Sequence, residues 1–158
     1  MTDESRIKIE VNENIIDLNY WYKIVSDDSS GATSSFLGTT RNEFKGKGVE
    51  RLEYETYKPM AIKEIEKICK TILNGFEGDI KKIGVVHRIG NVPVGESSIL
   101  IVISSGHRKS SLEAVHYAID TIKSTVPIWK KEFYTDGSEN QWKGNCESCH
   151  FNNNNHPH

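Results

Sequence analysis

Over residues 6–12, RIKIEVN, apolar Ile7, Ile9 and Val11 alternate with polar neighbours, the two-residue period of a strand with one buried face. Residues 17–27, DLNYWYKIVSD, lose that period and predict a short helix with Asp17 as its N-cap. Small and hydroxyl side chains dominate 29–42, SSGATSSFLGTTRN, which reads as a strand running out into a loop at Arg41. Residues 43–50, EFKGKGVE, read as a mobile polar connection that turns at Gly46 and Gly48. Imperfect strand alternation resumes over 49–57 through Val49, Leu52 and Tyr54. From 58 to 73 the period lengthens, with Ile62, Ile65, Ile68, Cys69 and Ile72 on one helical face and Pro59 suited to the first turn.

Two apolar strands, 80–89 and 97–105, follow, joined by a Gly/Pro turn. A helix over 107–125 places Leu112, Val115, Ile119 and Ile122 on its buried stripe, and Pro127 stops it. Residues 127–134, PIWKKEFY, read as a strand and 135–144 as its hairpin return. This order predicts an α+β fold with helices packed on a mostly antiparallel sheet. From Cys146 the chain reads CESCHFNNNNHPH, nearly without core-forming residues, so the expectation is one domain over 1–145 and a disordered tail over 146–158.

The chain has 158 residues, enough for a single domain that buries roughly two thirds of its unfolded surface without staples. Twenty basic against twenty-two acidic residues give a net charge of −2, which argues against a dedicated nucleic-acid or anionic-membrane binder. No stretch has the apolar length of a membrane-spanning helix, and the first residues lack a secretory pattern. The three cysteines, Cys69, Cys146 and Cys149, suit a reducing compartment better than a disulfide framework. A cytosolic protein is expected, and any anion site in it must be local.

Such a site is written into ILIVISSGHRKSS, residues 99–111, where a strand runs straight into His107, Arg108 and Lys109 at the mouth of a helix. A helix N-terminus disfavours cations, so their presence there points to a bound anion, against the plainer alternative of a solvated first turn. Lys123 in IKSTVPIWKKE falls in the last turn of that helix, where a cation is favoured even without a ligand. Lys130 and Lys131 lie on opposite faces of the next strand, Lys131 with Trp129 and Phe133, Lys130 with Ile128, Glu132 and Tyr134. Arg41 at a strand end is a weak signal alone. His87 and Arg88 read as a structural pair, and CESCH (146–150), although it has the spacing of a haem attachment or half a zinc site, is assigned neither cofactor nor metal.

Taken together, FLGTTRN, LEYETYKPMA, VVHRIGNVPVGE, SSGHRKSSLEAVHYAIDTIKSTVPIWKKE and the closing WKGN resemble the catalytic (large) subunit of molybdopterin synthase, over about residues 6–145. The resemblance implies an α/β hammerhead fold with an additional antiparallel sheet. It implies a sulfurtransferase of molybdenum cofactor biosynthesis that inserts two sulfurs into cyclic pyranopterin monophosphate, giving the molybdopterin dithiolene. The sulfur would arrive as a thiocarboxylate on the C-terminal Gly-Gly of a small ubiquitin-like subunit, and the large subunit would form a homodimer at the centre of a heterotetramer. The family's pocket carries over to Arg41, His107, Arg108, Lys123 and Lys130, with Lys131 and Glu132 lining the substrate side.

In that pattern Lys123 and Lys130 are the catalytic pair. Two departures stand out: Gly106 replaces an alanine common in the family, loosening the turn before His107, and a C-terminal arginine contact is missing unless Lys143 supplies it. A helix from 107 to 123 would separate His107 from Lys123 by about 24 Å, so one pocket holding both must straddle a two-fold interface. The competing readings are a non-catalytic module for a nucleotide or acidic peptide, and a sulfurtransferase that relays sulfur through Cys69 or Cys146.

Overall fold

A computed structural model describes residues 2–144 of the chain. A single turn, α1 (Asp3–Arg6), leads into β1 (Ile7–Asn12), and α2 (Leu18–Ile24) follows with the Asp17 carboxylate accepting the Tyr20 N–H at 3.3 Å, the expected cap. β2 (Ala32–Thr39), β3 (Glu43–Phe44) and β4 (Lys47–Thr56) precede α3 (Lys58–Asn74). After a short left-handed turn, Phe76–Gly78, come β5 (Ile80–Arg88), β6 (Gly90–Pro93) and β7 (Ser97–Ser105). The long helix α4 (Arg108–Thr125), β8 (Ile128–Tyr134) and β9 (Lys143–Gly144) complete the described chain. No described helix is long and apolar enough to cross a membrane. Cys146, Cys149 and the predicted disordered tail lie outside the described residues.

The fold is α+β, with two sheets sharing one core. The first has the order β1-β5-β7-β2; β1 runs parallel to β5, and β5–β7 and β7–β2 are antiparallel. Its central strands, β5 and β7, are buried on both faces, because α3 and α4 cover one side and α2 inserts Trp21 and Val25 against Val86, Leu100 and Val102 on the other. That double coverage explains why β5 and β7 read as continuous apolar runs rather than alternations. The second sheet, β3-β4-β8-β9 with β6 also on β4, is antiparallel and sends Tyr54, Val92 and Ile128 into the core beneath α3 and α4.

Three local expectations are corrected. Residues 43–50 are a paired hairpin, not a mobile connection: Lys45 (φ 48°) and Gly46 (φ 80°) form a two-residue turn, both left-handed, and Phe44 pairs with Lys47. That geometry matches the twist of the flanking strands. The Gly/Pro turn after β5 contains a strand of its own, β6, because the polar Asn91 and Pro93 tolerate its position beside β4 while Val92 points inward with no exposure. Leu112 is 59% exposed and off the buried stripe of α4. The helix instead turns Ser111, Ala114 and Ala118 inward beside Val115, Ile119 and Ile122, and these small residues let it lie close on the sheet, where Ser111 Oγ meets Ser34 Oγ of β2 at 2.8 Å.

Candidate active site

Where the two sheets diverge, a cleft of roughly 400 Å³ opens between the end of β2, the C-terminal turn of α4 and the inner face of β8. Each element delivers one cation to it: Arg41, Lys123 and Lys130. Arg41 leaves a backbone that is held on both sides. Thr40, only 3% exposed, donates its N–H to Glu96 O at 3.0 Å and accepts from Gly95 N at 3.0 Å, and Asn42 O accepts from Val49 N at 2.8 Å. Gly38 precedes it because a Cβ there would stand 2.8 Å from Ile99 Cγ2. Lys123 is half-buried in the last turn of α4, next to Ile122, which belongs to the core.

Lys130 occupies the inward face of β8, as strand alternation requires, opposite Tyr54 on β4 and Lys143 on β9. Burial holds its ammonium below the ordinary lysine value; the cations of Lys143, Lys123 and Arg41 push the same way, and Glu132 opposes them. A carboxylate in this cleft is at first sight misplaced, and its partners explain it. Glu132 is 3% exposed, receives Lys143 Nζ at 2.9 Å, and accepts from Tyr134 OH at 2.7 Å and Asn140 Nδ2 at 3.0 Å. Burial, then that bond to Glu132, pushes the Tyr134 phenol up to about 12. Glu132 is thereby held by Tyr134 of its own strand, Asn140 of the following turn and Lys143 of β9. Its wall is apolar and aromatic, with Phe36, Phe44, Leu52 and Tyr54.

The other sequence candidates fall elsewhere. Lys131 is on the opposite face of β8, 2.7 Å from Glu139 and 5.4 Å from the Phe133 ring centroid, so it does not line this cleft. His107 and Arg108 are at the far end of α4: His107 is its N-cap residue, Arg108 its first helical residue, and both are exposed. Within one protomer the predicted set is therefore split into two groups, Arg41/Lys123/Lys130/Glu132 and His107/Arg108. Sequence reading missed the aromatic wall, for which the alternation of Leu52 and Tyr54 in β4 was the available signal. It also missed Asp79, whose Oδ2 accepts the His107 N–H at 2.9 Å.

His87 and Arg88, expected to be a satisfied structural pair, are both buried, but the Arg88 Nε has no hydrogen-bond partner among the described residues. His87 is 1% exposed, bonds Arg88 O through Nδ1 at 2.8 Å and stacks edge-on with Tyr54; Arg88 reaches Glu96 at 2.8 Å. No group of His, Cys, Asp and Glu among the described residues could hold a metal ion. Cys69 is 1% exposed in the core, and burial pushes its thiol up to about 12, the opposite of what a sulfur relay needs.

Three cations on separate elements thus converge on one cleft with an aromatic wall, and the comparisons place the chain in a lineage. The family model described as MoaE protein matches residues 11–125. The chain belongs to that family. It is 94% identical, over all 158 residues of both chains, to the molybdopterin synthase catalytic subunit of Dictyostelium discoideum. It is 46% identical to the subunit of that name from Drosophila mojavensis over 139 residues, which are 88% of this chain but 38% of the longer fly protein. Among solved structures, molybdopterin synthase from Staphylococcus aureus superposes with a TM-score of 0.79 at 37% identity, covering 85% of this chain and 96% of that one. The two-sheet architecture with α3 and α4 over a common core is thus the architecture of a MoaE-family protein.

Proposed function

We propose that the chain is the catalytic subunit of a molybdopterin synthase, transferring sulfur from the thiocarboxylated C-terminus of a small ubiquitin-like subunit to cyclic pyranopterin monophosphate. The observation that carries this reading is the convergence of Arg41, Lys123 and Lys130 on one cleft with an aromatic wall. Both reactants are anions, a phosphate-bearing pterin and a thiocarboxylate, and they repel each other in water. Fixed cations offset that repulsion and stabilise charge that builds up as sulfur attacks carbon. Lys123 stands beside the tail's terminal carbonyl in this account, and Lys130, kept below the ordinary lysine value, anchors an anion or returns a proton.

Arg41, Arg108 and His107 hold the cyclic phosphate and assist its opening. The continuous helix from Arg108 to Thr125 keeps His107 and Lys123 far apart, since a span of sixteen residues at ~1.5 Å each is about 24 Å. A two-fold dimer reconciles them: Lys123, Lys130 and Arg41 of one protomer face His107 and Arg108 of its partner, with a small subunit bound at each end of the pair. A cytosolic setting fits the thiol content of the chain. Burial disfavours Cys69 as a sulfur relay, while Cys146, the other relay candidate, lies outside the described residues.

The test is to incubate the full chain with a thiocarboxylated small subunit and the pyranopterin, and to follow dithiolene product by mass spectrometry. Replacement of all three cysteines by serine is expected to leave product formation intact. Product from wild type but none from the serine variant would transfer the reading to a cysteine relay. Binding of the pterin without any product would reduce the site to an anion-binding module.

A further inference from the structure

We propose that Asp79 is the positioning residue for His107, holding the imidazole by Nδ1 so that Nε2 is presented outward to the substrate phosphate; this rests on the molybdopterin synthase reading above. His107 is the N-cap residue of α4 but makes no side-chain cap bond itself. A carboxylate from another element does that work: Asp79 Oδ2 accepts the His107 N–H at 2.9 Å and stands 3.4 Å from His107 Nδ1. The backbone adds a further tie, because Gly106 N donates to the Asp79 carbonyl at 3.0 Å. Asp79 thus meets His107 through its carboxylate and the preceding Gly106 through its backbone carbonyl.

The question raised by cations at a helix mouth is answered in part by this anion. Asp79 supplies the negative charge that the N-terminus favours, and the His107 N–H, foremost, holds its carboxyl below the usual carboxylate range. It does so without covering the imidazole, which remains 87% exposed. A ring held at Nδ1 by a carboxylate keeps its proton there and offers the Nε2 lone pair, or the second N–H when protonated, to whatever approaches.

The chain meets two demands to deliver Asp79. Phe76 (φ 50°) and Glu77 (φ 59°) are non-glycine residues in the left-handed region, followed by Gly78 (φ 69°). Such backbone persists only where its surroundings fix it. Here Phe76 packs on the core and its ring meets Tyr117 of α4 edge-on at 6.2 Å, while Asp79 N returns to Phe76 O at 3.1 Å. Gly106 meets the second demand. A Cβ on it would stand 2.3 Å from Asp79 Oδ1, so the missing side chain leaves room for the carboxylate rather than loosening the turn. An alanine there would require the Asp79 carboxylate to shift.

Asp79→Asn keeps an oxygen that can cap the helix but removes the charge that holds the ring. Its side-chain oxygen can still accept the His107 N–H, but as a neutral amide it lacks the negative charge that favours the proton on Nδ1. Two measurements on the full chain decide the matter. Nitrogen-15 shifts of the imidazole, assigned by the signal lost in His107→Ala and read well above the ordinary histidine pKa, are expected to show the Nδ1–H tautomer in wild type and Nε2–H in Asp79→Asn. Product assays with the thiocarboxylated partner are expected to show kcat/KM lower by at least about 10-fold in Asp79→Asn with a melting temperature near wild type. An Nε2–H tautomer already present in wild type, or unchanged kcat/KM in the variant, would overturn the proposal. A wild-type chain that makes no dithiolene would overturn the synthase reading instead, and the tautomer would then decide the positioning role by itself.

Discussion

At the residue scale, the proposed chemistry rests on side chains whose contribution to stability is small and whose contribution to turnover is large. Lys123 is the clearest case. In the last turn of α4 its charge is worth tenths of a kcal/mol through the helix dipole, whereas a fixed cation at a reacting carbonyl can supply several. Lys123→Ala is therefore expected to abolish dithiolene formation while the melting temperature moves by no more than a few degrees. Thermal melts and product assays on one preparation check both halves, and near-normal turnover would remove Lys123 from the chemistry. These residues differed in how readable they were. Strand alternation alone put Lys130 and Glu132 on one face of β8 and Lys131 on the other, yet grouping Lys131 with the substrate side could not survive that same alternation. Asp79 was invisible because its partner lies twenty-eight positions away, and only the fold brings them together.

Elements carry their own consequences, beginning with β5. His87 is buried, and loss of solvation pulls its pKa from the ordinary 6.5 to about 4. Its folded value lies below its unfolded one, so between them the unfolded chain binds more protons. The stability it allows is fully present above about pH 6.5 and is lost as pH falls toward 4, by about 3 kcal/mol for a shift of this size. Urea unfolding from pH 7 to pH 4 should show that loss in wild type and a correspondingly shallower decline in His87→Gln. Equal slopes would mean that His87 charges freely in the folded state.

On α4 the periodic apolar residues announced a helix with nearly correct ends, but not which side faces in. Counting Leu112 with Val115, Ile119 and Ile122 follows the large residues, whereas the sheet selects the small ones, Ser111, Ala114 and Ala118, for close approach. Ser111→Leu should cost about 1–3 kcal/mol by forcing the helix away from β2, and Leu112→Ala should change stability by less than about 0.5 kcal/mol. Chemical denaturation of the two variants tests the assignment, and the reverse ranking would contradict it. The β3–β4 hairpin was illegible for a related reason. Its turn uses Lys45, a non-glycine residue in the left-handed region, held by pairing that local composition does not announce.

At the scale of the whole molecule, the α+β class and the order of the long elements were legible because the apolar runs of β5 and β7 and the periods of α3 and α4 are strong local signals, whereas the short α1, β3 and β6 were not. The sharing of one core by two sheets was not, since it depends on where β4 and β8 pair. The same holds for the site. Its cations could be named one by one, but their division into two groups at opposite ends of α4 is a property of the helix as a rigid body. We propose from that division that fixed cations of two protomers assemble one sulfur-transfer site. Mixing His107→Ala with Lys123→Ala and allowing the subunits to exchange is the decisive experiment. Each variant alone should be inactive, but a mixed dimer would carry one doubly damaged site and one intact site. Half of randomly paired dimers are mixed, so the mixture should regain roughly a quarter of the wild-type activity. Mixtures that stay as inactive as either parent, with subunit exchange verified, would contradict a shared site and place the chemistry within a single chain.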